Sequence, residues 1–138
     1  PRSCRQGFAE PRRRPDGNSG APTPYRDPML ASTEVGQSLV SSARSARDAG
    51  DYGRAVAQLE RAVSIAPQDP VVWYELAKTR LAQGQYRQAE NLAQRALDLA
   101  EQGALISAYC WQIIGDAREA QGDRQGARDA WERARARS

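Results

Sequence analysis

Side chains that can do covalent or acid–base chemistry are sparse in this 138-residue chain: histidine is absent and the only cysteines are Cys4 and Cys110. Without an imidazole there is no Ser/His/Asp or Cys/His arrangement and no His-containing zinc site. Two cysteines likewise cannot build a structural zinc site or a disulfide scaffold. Carboxylates such as Asp48, Glu75 and Asp116 have no paired spacing and are expected to be solvated helix charges. Cys110, next to Trp111 and with no base to activate it, is expected to be a small packed residue. The sequence thus predicts a non-enzyme with no catalytic residues, no metal and no cofactor. Recognition chemistry remains, carried by 19 Arg, the single Lys78 and the aromatics Tyr74 and Tyr109. Aromatics placed on an inner helical face either fill packing gaps or anchor a partner.

The elements that position these residues begin after a compositional boundary. Six of the eight prolines (Pro1, Pro11, Pro15, Pro22, Pro24 and Pro28) lie in a Pro/Gly/Arg/Ser-rich stretch that cannot bury enough apolar surface to offset ordering. Residues 1–30 are therefore expected to be a disordered tether. All of the net charge of +3 belongs to residues 1–33, and residues 34–138 are neutral overall. A basic balance confined to the tether is a weak signal for nucleic-acid binding by the folded part. Arg12, Arg13 and Arg14 could meet an anionic membrane or nucleic acid, but such a run is more often solvated linker. No stretch has the roughly 20 apolar residues that a bilayer span needs.

From residue 34 onward the chain repeats itself. Segments 49–55, 83–89 and 121–127 are versions of one another, with Gly50, Gly84 and Gly122 separated by 34 and 38 residues. The same offsets relate Ala55, Ala89 and Ala127; Ala62, Ala96 and Ala134; and Leu39, Trp73 and Trp111. Alanine richness alone does not align a glycine column and a tryptophan column. Each unit should be two antiparallel helices. In the middle unit Asp69 is suited to an N-cap and Pro70 to the first helical position. Trp73, Leu76, Ala77 and Leu81 give the first helix an apolar stripe, and Ala89, Leu92, Ala93, Ala96 and Leu97 line the second. The four-residue excess before the third unit is close to one helical turn. Gly103 places that turn at the start of the third unit's first helix, near Ala104, where Leu105 and Ile106 gain a helical setting.

These columns resemble the tetratricopeptide repeat, with its Trp-x2-Leu-Gly-x2-Tyr, Ala-x3-Phe and Pro positions. The middle unit supplies Trp73, Leu76, Ala77, Ala89 and Ala93; the third supplies Trp111, Ile114, Gly115, Ala127 and Trp131; the first supplies Ala55, Leu59, Ala62 and Pro67. Arg80 and Arg118 depart from the pattern by replacing the usual aromatic. The resemblance implies an all-α protein, a right-handed α-solenoid of three helical hairpins over residues 34–138, with repeats at about 36–69, 70–103 and 104–138. It also implies a concave surface that holds a protein or peptide.

Placed on the family pattern, the inner residues are Gln37, Val40, Arg44 and Arg47 in the first unit, Val71, Tyr74, Lys78 and Leu81 in the second, and Tyr109, Gln112, Asp116 and Glu119 in the third. The groove is then basic at one end, aromatic and apolar in the middle, and acidic at the other. That suits a peptide or helix better than a nucleic-acid backbone or a small-molecule substrate. Val40 and Asp116 depart from the Lys/Asn/Arg clamp by which some family members hold chaperone tails. A tether followed by a short repeat domain resembles bacterial envelope lipoproteins, some of which stimulate bifunctional penicillin-binding proteins while others assist pilus secretin assembly. The resemblance implies an adaptor, and Arg128, Arg133, Arg135 and Arg137, whose stems can lie over the apolar atoms of the last helix, favour a mostly monomeric state. It would be periplasmic or outer-membrane-anchored if a lipoprotein signal lies upstream, and cytoplasmic otherwise. Alternatives are a structural spacer and tail-mediated binding to an anionic membrane or nucleic acid.

Overall fold

The computed structural model describes residues 28–101 and 103–137, with side-chain surroundings from 34 to 136 apart from 102. The expected tether, including Cys4 and Arg12, Arg13 and Arg14, lies outside the described residues. Six helices follow in order: α1 (Pro28–Asp48), α2 (Tyr52–Ile65), α3 (Pro70–Ala82), α4 (Tyr86–Leu99), α5 (Leu105–Ala120) and α6 (Arg124–Arg137), with no strand among the described residues. The compact unit Ser32–Ser138 contains all but the first residues of α1 and every later helix. It is an all-α solenoid of three consecutive hairpins.

The repeated glycine column makes the turn inside each hairpin. Gly50, Gly84 and Gly122 have φ of +82°, +79° and +91°, the left-handed conformation that costs a side-chain-bearing residue energy. In each case the residue after the glycine donates its N–H back to a carbonyl of the preceding helix: Asp51 to Ala46, Gln85 to Arg80 and Asp123 to Arg118, at 2.8–2.9 Å. Orphan carbonyls at the helix end are thereby satisfied and the chain reverses within a few residues. At the following N-termini, Asp51 accepts from Arg54 N at 3.2 Å, and Asp69 caps α3 by accepting from Val71 N at 2.9 Å with Pro70 behind it.

The alanine columns mark where helix axes approach. Ala55, Ala89 and Ala127 are fully buried, as are Ala62 and Ala96, and Ala134 is nearly so. Ala43 and Ala77 are also fully buried, and the residue in their column of the third unit is Gly115. A Cβ there would overlap the Trp131 indole, so even alanine is too large where this ring lies. The indole N–H of Trp131 donates to Asp116 Oδ1 at 3.0 Å, fastening α6 to α5.

The tryptophan column is managed by a second column. Arg95 lies over Trp73 with its guanidinium carbon 5.5 Å from the ring centre, and Arg133 lies over Trp111 at 4.8 Å. Both pairs span the same 22 residues, and each arginine covers a ring face with a weakly hydrated planar cation. Trp111 is 8% exposed. Trp73 is half-buried and donates to Pro67 O at 2.8 Å.

Two adjoining clusters make the core. One joins α1, α2 and α3 through Val40, Ala43, Leu59 and Val72, and the other runs from α3 to α6 through Ala77, Ala93, Cys110, Trp111 and Ile114. Central α3 buries Val72, Glu75, Leu76, Ala77 and Thr79, a wider face than the predicted stripe, while Trp73 and Leu81 pack at its margin. Arg80 and Arg118, at the positions of the missing aromatics, make polar ties. Arg118 pairs with Glu90 of α4 at 2.9 Å, and Arg80 bonds Gln83 at 3.0 Å and approaches Glu60 at 3.9 Å.

The four-residue excess is resolved at α5. Gly103 has φ of +82°, and the helix starts at Leu105 after Ala104. The counterpart of Pro70 at the 38-residue offset is Ala108, so α5 begins nearly a turn earlier than α3 does.

Candidate functional site

The first helices of the three hairpins line one groove of about 430 Å³, formed by Arg44, Arg47 and Asp48 of α1, Val71, Tyr74, Glu75 and Lys78 of α3, and Ile106 and Tyr109 of α5. Six residues singled out from the sequence meet there: Arg44, Arg47, Val71, Tyr74, Lys78 and Tyr109. The other six do not. Val40 is only 6% exposed and packs with Ala43, Ala55 and Leu59, because its turn of α1 faces α2 and α3. Its place among the inner residues is corrected to the core. Gln112 and Glu119 are exposed outside the groove, and the Asp116 carboxylate accepts from Gln112 at 3.1 Å and from Trp131. The acidic end foreseen for the groove is therefore absent from its lining. Gln37 is exposed and Leu81 packs against the core.

The centre of the groove is aromatic. Tyr74 and Tyr109 have ring centres 5.9 Å apart and planes inclined by 34°, a tilted contact of the kind aromatic pairs favour. Tyr109 is 49% exposed while Tyr74 is half-buried beneath it. Burial, reinforced by the nearby Glu75 charge, raises the Tyr74 phenol above its ordinary range, so its hydroxyl stays neutral and able to donate.

The basic side of the groove is held from within. Glu75, expected as a solvated surface carboxylate, is 2% exposed. It accepts from Arg44 Nε at 2.7 Å and from Arg47 Nη1 at 2.9 Å. Arg47 also reaches Thr79 Oγ1 at 3.3 Å, and Thr79 donates back to Glu75 O at 2.9 Å. A single carboxylate thus orients two arginines that arrive from α1, and its hydrogen bond raises the Arg44 pKa further. The Arg47 side chain is 11% exposed and serves mainly to join the hairpins, whereas that of Arg44 is 50% exposed. Lys78 is exposed and has no ion pair among the described residues. Counting Asp48, the groove lining carries three cations against two carboxylates.

Sequence reasoning missed Asp48, Glu75 and Ile106 as parts of the lining. The position of Ile106 in the excess turn was the one available signal. Cys110 is fully buried beneath this face, and burial pushes its thiol up to about 12, which keeps it protonated and unreactive near neutral pH. Among the described residues no cluster of metal-ligating side chains occurs, and no helix is long and apolar enough to cross a membrane.

Helical hairpins stacked by small-residue columns, with a groove along their first helices, define the class of repeat proteins that bind other proteins. A family model described as tetratricopeptide repeat matches residues 46–108. The globular C-terminal domain of LpoP from P. aeruginosa is 41% identical, with a TM-score of 0.67, and the match covers 80% of this chain and 98% of that one. The chain belongs to the tetratricopeptide-repeat family. The Sgt2 repeat domain from Aspergillus fumigatus is 27% identical with a TM-score of 0.67, covering 88% of this chain and 72% of that one. The second repeat domain of Spaghetti (RPAP3), solved bound to an HSP90 peptide, has a TM-score of 0.70 over 79% of this chain and 99% of that one, and at 18% identity it shows the shared fold alone. No curated protein matches the chain.

Proposed function

We propose that this chain is a non-enzymatic adaptor that holds a segment of another protein in the groove centred on Tyr74 and Tyr109, and that it acts in a bacterial envelope as a regulator of a peptidoglycan synthase. The observation that carries the binding reading is the pair of the partly buried Tyr74 and the half-exposed Tyr109, flanked by Arg44 and Lys78, since aromatic side chains in a preformed depression are the usual anchors of protein recognition. The envelope reading draws on the 41% identity that extends over nearly the whole LpoP domain. It also draws on the sequence order, a Pro/Gly/Arg-rich stretch followed by repeats, which resembles that of envelope lipoproteins that stimulate bifunctional penicillin-binding proteins.

The test is a titration of the full chain against the soluble ectodomain of a bifunctional penicillin-binding protein, measured at two salt concentrations. Tyr74→Ala should weaken binding by about 2 kcal/mol, whereas replacing Arg12, Arg13 and Arg14 together should change it little. Binding that follows the three arginines and falls steeply with salt would assign the contact to the tail instead. No binding by the intact chain would remove the synthase from the account.

A further inference from the structure

The two junctions between successive hairpins use the same repeat positions with opposite chemistry. At the first junction Arg47 of α1 meets Glu75 and Thr79 of α3, both of them buried, and Arg44 completes the cluster. The counterparts of Arg47, Glu75 and Thr79 at the second junction are Leu81, Ile113 and Ala117. Ile113 and Ala117 are buried, and Leu81 packs against the core cluster that contains Ile113. The outer ties differ as well. Glu90 accepts from Arg118 at 2.9 Å and from Gln121 at 3.3 Å, joining the second hairpin to the third, whereas Arg80 only approaches the exposed Glu60 of the first hairpin at 3.9 Å. Apolar packing gains free energy from each methylene taken out of water, while a buried ion pair returns in Coulomb energy little more than its desolvation costs. At these positions the first junction is therefore the weaker, and its cluster fixes direction more than strength. A second arrangement is also at hand. Lys78 stands three residues after Glu75 on the same helix, exposed and without an ion pair among the described residues, and can take the carboxylate when the arginines leave it.

We infer that this cluster is a latch, and that the first hairpin tilts as a folded body about the connection at 66–69. In the major state Glu75 holds Arg44 and Arg47; in the minor one it pairs with Lys78. The second and third hairpins move as one body. Because α1 supplies Arg44, Arg47 and Asp48 to the groove, the tilt alters their spacing from Tyr74 and Tyr109, which α3 and α5 carry. The latch is a property of the chain alone, so it stands or falls independently of what the groove binds.

Methyl relaxation dispersion by NMR on the full chain reads such tilting on the microsecond-to-millisecond scale. Val56 and Leu59 of α2 and Val72 and Leu76 of α3, in the cluster that joins the first two hairpins, should share one exchange rate, and Ile113 and Ile114 should show none. Giving the first junction the residues of the second, as Arg47→Leu, Glu75→Ile and Thr79→Ala together, should abolish the exchange. Lys78→Met, at an exposed position, should lower the minor population by about fivefold because it removes the alternative partner of the carboxylate. Flat profiles at the first junction overturn the inference. So does exchange that Ile113 and Ile114 share at the same rate, which is opening of the whole chain. Unchanged exchange in Lys78→Met overturns it as well, whether or not the triple variant folds.

Discussion

Glu75 shows at the residue scale what a single buried carboxylate does for two arginines. Removing it would leave Arg47 nearly enclosed without its counter-charge, and an orphaned buried charge costs more than the intact pair contributes. Glu75→Ala is expected to destabilise by about 3 kcal/mol, and Glu75→Gln by less because one acceptor oxygen survives; urea midpoints measure both, and an unchanged midpoint in the alanine variant would show the cluster to be dispensable. Nothing in the local sequence distinguished Glu75 from a solvated acid, because Arg47 and Arg44 lie 28 and 31 residues away and only the stacking of hairpins brings them to it. Cys110 was legible as a packed residue from its neighbours and from the lack of a base. Its thiol, held up to about 12 in the folded state against 9.0 ordinarily, adds a pH dependence. Below 9 both states keep the proton and stability is intact. Between 9 and about 12 the unfolded chain releases it first, so stability falls with rising pH. The expected slope from this thiol is about 1 kcal/mol per pH unit in urea titrations across that window, and Cys110→Ala should lose that contribution while keeping the one of the raised Tyr74 phenol.

The small-residue columns decide the packing at the scale of elements. Gly115 is the position where α5 leaves room for the Trp131 ring of α6, and Gly115→Ala should cost about 1–3 kcal/mol as the indole is displaced. Combined with Trp131→Ala the loss should be less than additive, since the overlapping ring is gone; strict additivity in a double-mutant cycle would contradict the contact. The two central tryptophans should also differ. Trp111→Ala, at 8% exposure, is expected to cost about 4 kcal/mol and Trp73→Ala less, because the latter side chain is only partly buried. Thermal or urea unfolding of the pair gives the order directly. Turns and columns were legible because each depends on residues within one hairpin: a glycine at the reversal, an aspartate at the cap, alanines where axes touch. The face of α3 was less legible. A helix packed against α1, α2, α4 and α5 buries Val72, Glu75 and Thr79 beyond any single stripe, and one-sided periodicity understates it. Val40 was misplaced in the same way, since the family pattern gave its register but not its burial among Ala43, Ala55 and Leu59.

For the whole molecule, the two core clusters meet on α3, so the hairpins share one interior and should unfold together in a single transition. The last helix turns Ala127, Ala130 and Ala134 inward and folds Trp131 against α5, leaving Arg128, Asp129, Glu132 and Arg135 outward. That outer face of α6 is polar, so it can stand in water. The full chain is accordingly expected to sediment as a monomer at low micromolar concentration, and a dimer persisting below about 1 μM would contradict that. The groove is the feature on which the functional account depends, and hydrogen exchange of the chain with and without a bound synthase ectodomain tests it most directly. Protection should appear on α1, α3 and the first turns of α5, around Arg44, Tyr74 and Tyr109. Protection confined to residues 1–27, or to the outer faces of α4 and α6, would contradict the account.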